Sequence, residues 1–145
     1  AMAREFSRAV QDTIDQARIG FASCDSADAL QQLIRKLNRY SQTPLMKRRR
    51  LERIRLIVFS QGQPRLRALL AAEQKRLTDA FEALFATARA NGWISPDIAP
   101  RAAAVLVQAY TIGRIVDDIS ETPLDDEDWF QMVDLLTERV FGSST

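Results

Sequence analysis

The stretch PRAAAVLVQAYTIGRIVDDIS, residues 100–120, decides the fold. Proline opens it, and nothing inside it breaks a helix. Ala102, Ala103, Val105, Leu106, Val107, Ala109, Tyr110, Ile112, Ile115, Val116 and Ile119 then cover nearly the whole circumference of that helix. A helix that is apolar all round is buried on both sides. The chain has 145 residues, enough for one compact domain with a real core. In so small a domain, one side of this helix is expected to face the core and the other a partner chain.

Working outward, every neighbouring segment also carries the helical period. Toward the C-terminus, Asp126 starts a helix whose acidic first turn complements the macrodipole. Its Trp129, Met132, Val133, Leu136 and Val140 fall on one face, with Phe130 and Phe141 off it. Toward the N-terminus, Pro64 opens the longest helix, and Asn91-Gly92 stops it. Leu51, Ile54, Ile57 and Val58 are the expected buried face of a helix that starts at Thr43-Pro44 and ends near Gln61-Gly62. Leu30, Leu33, Ile34 and Leu37 mark another over 27–40, capped by Asp25 or Ser26. Phe6, Val10, Ile14, Ala17 and Phe21 mark the first, over 4–22. Ala1-Met2 reads as a cloning remnant, so residues 1–3 are left out of the fold, and the tail Gly142–Thr145 is expected to fray. The fold class is all-α, a six-helix bundle forming a single domain.

Composition narrows function by exclusion. Apolar residues make up 46% and charged residues 27%, with net charge +1. There is no histidine, which removes the commonest general base and metal ligand. No phosphate loop, cysteine cluster or nucleophile motif is present, so the chain reads as no enzyme, with no catalytic residue, cofactor or metal. No apolar run approaches the ~18 residues of a membrane span. The lone Cys24 fits a reducing compartment and reads as an ordinary buried residue.

From Leu56 to Ile119 the order of segments carries a resemblance. Phe59-Ser60-Gln61-Gly62-Gln63 runs into Pro64-Arg65-Leu66-Arg67. A long helix ends in Ala88-Arg89-Ala90-Asn91-Gly92-Trp93-Ile94. Pro96-Asp97-Ile98-Ala99-Pro100 then leads into an apolar helix with Gly113 in its middle. This order is similar to the C-terminal, effector-binding and dimerisation domain of TetR-family transcriptional regulators. The resemblance implies a bacterial, cytoplasmic regulator of repressor type, in which the last two helices pair with their mates as a four-helix dimer interface. It implies a small, largely apolar effector, and operator DNA bound only through an N-terminal helix-turn-helix. No segment here matches that DNA-reading domain. An effector would act by changing the separation of two reading heads, which must sit about 34–36 Å apart on DNA.

Individual residues follow from these readings. Leu37, Tyr40, Phe59, Phe81, Phe85, Gln108, Tyr110, Thr111 and Arg114 are the candidate ligand set, with Trp93 a further aromatic that could line a cavity. Four hydrogen-bonding groups within two turns of an apolar helix need partners, and a ligand can supply them. Arg114 either anchors a polar effector or pairs with Asp118 four residues on. Val105, Ile112, Gly113, Val116, Trp129, Met132, Val133, Leu136 and Val140 are the candidate dimer seam, with Gly113 permitting close helix approach. The basic run Lys47 to Arg55 is expected to be a solvated helix face, and the acidic run Asp125 to Asp128 a helix cap. The alternative to a sensor is a constitutive homodimerisation scaffold with a filled core.

Overall fold

The computed structural model describes residues 2–142. Among the described residues there are six long α-helices and one single-turn α-helix: α1 (Met2–Ala22), α2 (Ala27–Ser41), α3 (Pro44–Phe59), α4 (Pro64–Ala90), α5 (Pro100–Gly113), α6 (Ile115–Asp118) and α7 (Asp126–Phe141), with a 3-10 turn at Ser60–Gly62. No strand occurs among the described residues. Met2 and Ala3 belong to α1, so the helix starts before residue 4; Ala1 and residues 143–145 of the tail lie outside the described residues.

Local chemistry sets the boundaries. The Ser26 hydroxyl accepts the Ala29 N–H at 3.1 Å and caps α2. Pro44, Pro64 and Pro100 each stand in a first helical turn, where the missing N–H costs nothing. After α4, Gly92 adopts φ 76°, and the N–H groups of Trp93 and Gly92 reach back to the carbonyls of Ala88 and Arg89. That pair of bonds satisfies the last carbonyls of the helix and turns the chain. The Asp125 carboxylate accepts the Glu127 N–H at 2.9 Å, capping α7 as its sequence suggests.

Two apolar clusters form the core. Phe6, Val10 and Ile14 of α1 meet Leu56 of α3 and Leu70, Leu77 and Ala80 of α4. Leu30 and Ile34 of α2, Phe85 and Ala88 of α4, Ala103 and Ala104 of α5 and Phe141 of α7 form the second. Phe81 packs against both, so α4 is the spine that joins them. α7 starts beside the end of α5 and finishes in the cluster that holds the start of α5, so the two run antiparallel. Arg39 of α2 adds a pair with Asp134 of α7 at 2.8 Å.

Three expectations are corrected here. First, the predicted helix over 100–120 breaks after Gly113 into α5 and the one-turn α6. A Cβ at Gly113 would meet nothing within 4 Å, so within the chain this glycine serves no close approach. Second, α3 is inverted. Leu51, Ile57 and Val58 are exposed, whereas Arg50 and Leu56 are buried. Third, the α7 stripe turns inward. Val133 is 2% exposed, and Trp129, Leu136 and Val140 are half-buried, so of that predicted set only Met132, at 63%, is open. Phe141, placed off the apolar face by sequence, is 1% exposed and stacks on Phe85 with ring centroids 5.4 Å apart.

Phe141 is therefore a keystone of the second cluster. Phe141→Ala should cost about 3–5 kcal/mol, read as a lower urea midpoint with unchanged slope. A loss under about 1 kcal/mol would contradict this packing.

Candidate ligand-binding chamber

Five helices, α1 to α5, line a half-open chamber of about 210 Å³. Leu33 and Leu37 of α2, Phe81 and Leu84 of α4, Ala17 of α1 and Val107 of α5 make its walls chiefly apolar. Of the residues expected to meet a ligand, Leu37, Tyr40, Phe81, Phe85, Gln108, Tyr110 and Thr111 line it. Phe59 and Arg114 do not. Phe59 is exposed and borders an outer cleft between α1 and α3, and Trp93 packs instead on Phe21, with centroids 5.8 Å apart.

The polar groups of the chamber are unequally satisfied. Gln108 donates to the Ala104 carbonyl at 3.0 Å and to the Thr78 hydroxyl at 3.2 Å, and accepts from Gln74 at 2.8 Å. The Thr111 hydroxyl donates back to the Val107 carbonyl at 2.7 Å. Tyr110 differs: its hydroxyl has no hydrogen-bond partner among the described residues, and burial pushes its pKa up to about 12. Asn38, buried in the α2 wall, accepts from the Trp129 indole at 3.2 Å through Oδ1 and leaves its Nδ2 without a partner. Because indole nitrogen only donates, that orientation of the amide is chemically fixed.

Arg114 has a structural role. It is 5% exposed, and its guanidinium donates to Asp126 at 2.7 Å, to Gln42 at 2.8 Å and to the Leu124 carbonyl at 2.8 Å. Trp129 lies against it at 5.4 Å. Arg114 lines neither the chamber nor the outer cleft, and it pairs with Asp126 instead of Asp118. For Asp126, burial raises the carboxyl pKa, but bonds from Lys47 and Arg114 outweigh that and hold it below the usual value. Asp118 is claimed by Arg50, at 2.7 Å.

The basic run is thus a solvated face only in part: Arg48 and Arg55 are exposed, but Arg50 is buried and Arg49 and Arg53 are half-buried. Met46, Arg49, Arg50, Arg53 and Leu56 share the inward stripe of α3, at helical spacings. Arg49 and Arg53 line the chamber, and so do Asp12, Thr13 and Gln16 of α1. Sequence reasoning missed all five. The available signal was the spacing of Met46, Arg49, Arg53 and Leu56, which places apolar residues and arginine stems on one face.

The chamber shares Asp12, Thr13, Met46, Arg49 and Arg53 with the outer α1–α3 cleft, of about 810 Å³. Those residues form a neck between the apolar interior and the open side. Cys24 lies apart, half-buried, with its thiol 3.5 Å from the Gly20 carbonyl and its pKa raised by burial.

Among the described residues, no group of three His, Cys, Asp or Glu side chains is placed to hold a metal, and no helix is long and apolar enough to cross a membrane. Comparison with protein-family models, curated proteins and solved structures finds no match to this chain.

The buried phenol sets a pH expectation. In the unfolded chain Tyr110 loses its proton near 10.0, and in the folded chain only near 12. Between those values the native state binds more protons, so stability falls as pH rises through this window. Tyr110→Phe should flatten the alkaline limb of the stability profile, measured by urea unfolding across it. An unchanged limb would place the hydroxyl in water.

Proposed function

We propose that this chain is the effector-sensing and dimerisation domain of a TetR-type transcriptional regulator, with DNA bound by a separate helix-turn-helix. The observation that carries the reading is the chamber: an apolar interior space with a few hydrogen-bonding groups left without protein partners. Such a space is the usual form of a small-molecule site. Residues expected to meet a ligand on the strength of the family resemblance line it, on α2, α4 and α5. A ligand-free scaffold needs a filled interior, and the chamber argues against it.

The dimerisation half of the proposal rests on the outer side of α5. Val105 is exposed at 51%, with exposed Ala102, Ala109 and Gly113 on the same stripe of α5, and Val116 of α6 is open at 74%. Met132 and Leu135 of α7 and Ile119 after α6 add open apolar surface. A second copy pairing there covers it. Val133 takes no part, being buried already within the chain.

Two measurements test the reading. The neutral fluorophore aminoanthracene should brighten on binding the chamber and raise the melting temperature, by about 2.7 kcal/mol of stabilisation at a hundredfold excess over Kd. Leu37→Trp should abolish both effects. Sedimentation should give a dimer that Val116→Lys converts to a folded monomer. A dye indifferent to Leu37→Trp removes the sensor, and a wild-type monomer at micromolar concentration removes the dimer.

A further inference from the structure

The three arginines on the inward face of α3 are not equivalent. Arg50 has a carboxylate at 2.7 Å and also donates to the carbonyls of Ser41 and Thr111, each at 3.4 Å. Arg49 has only a loose pair, with Asp12 at 3.5 Å. Arg53 has no carboxylate partner among the described residues. Its Nη2 donates to the neutral Gln74 amide oxygen, its guanidinium lies 5.8 Å from the Phe6 ring centroid, and its Nε is buried without a partner. Gln74 offers Arg53 only a neutral amide oxygen, since its amide nitrogen is a donor and is spent on Thr78 and Gln108 at 3.1 and 2.8 Å.

A buried cation without a counter-charge is costly, and proteins pair such charges or expose them. Arg53 is half-buried and has no counter-charge among the described residues, and it stands on the chamber wall. Desolvation lowers its pKa, yet a guanidinium stays protonated at neutral pH. Two guanidiniums against the single carboxylate of Asp12 leave the neck positive. The buried unpartnered polar groups along the chamber, Arg53 Nε and Asn38 Nδ2, are both donors. The polar end therefore asks for an acceptor with negative charge, and the rest of the space asks for hydrocarbon.

Building on the sensor reading above, we infer that the ligand is an amphipathic carboxylate whose head pairs with Arg53, assisted by Arg49, at the neck and whose apolar body fills the chamber. The geometry supplies entry as well, since both arginines also border the outer cleft. A carboxylate there accepts a charge-assisted bond, the stronger kind.

The test compares decanoate with decanol, which differ in the head group, as displacers of aminoanthracene from the full chain. Decanoate should bind on the order of tenfold tighter. Arg53→Gln should erase that preference and leave decanol affinity unchanged, and Arg49→Gln should reduce it in part. If Arg53→Gln fails to fold, the wild-type preference and the Arg49→Gln variant still decide. Equal affinities, or a preference that survives Arg53→Gln, overturn the inference. Should aminoanthracene bind while neither decanoate nor decanol displaces it, the chamber stands and the carboxylate falls. Should aminoanthracene itself not bind, the sensor reading falls too.

Discussion

Two buried guanidiniums tie one end of this bundle together. Arg114 joins the C-cap of α2 through Gln42, the segment before α7 through Leu124, and the first turn of α7 through Asp126. Arg50 joins the end of α2 through Ser41, the end of α5 through Thr111, and α6 through Asp118. Every one of these elements ends or begins within reach of the other's partners. Buried charge without acceptors is strongly unfavourable, so each guanidinium requires its neighbours in place. The break after Gly113 fits this requirement: the turn in the chain brings Arg114 inward and lets Asp118 meet Arg50. At the other end, the cluster around Phe85 and Phe141 uses apolar burial for the same purpose.

The helical framework was legible because its punctuation is local. Ser26, three prolines and Gly92 act through bonds to residues at most a few positions away, and the sequence contains both partners. The inward face of α3 was not legible for the opposite reason. Arg50 finds its acceptors 61 and 68 residues downstream, and no local pattern shows that. Counting apolar residues favoured Leu51, Ile57 and Val58, yet long arginine stems also cover apolar surface while their heads seek acceptors. α7 shows a different limit. Its stripe through Trp129, Val133 and Leu136 was read correctly as apolar, but periodicity says that a face is covered, not what covers it. α2 covers it here, through the same chain.

The chamber was half legible. Aromatics and polar residues on α4 and α5 were placed by spacing and by family resemblance, whereas the α1 and α3 walls depended on the inversion of α3. Arg114 illustrates the risk of weighing a charged residue by its own helix alone. Its partner was sought at i+4, but Asp126 lies beyond a loop, and Asp118 meets a cation from a different helix.

The walls of the chamber are unequal in a way that bears on motion. α5 is pinned at both ends, by Ala103 and Ala104 in the second cluster and by Arg114 beyond Gly113. α4 runs through both clusters and is the least able to shift. α3 buries few apolar side chains, exposes several, and holds its inner face largely with arginines. Segments with little apolar burial are the ones that open at low free energy. A guest in the chamber would therefore displace α3 before α4 or α5. The loose Arg49–Asp12 pair links α3 to α1. The ion pair at the neck thus sits on the helix with the least apolar burial, and in the proposed sensor a guest would act first on α3.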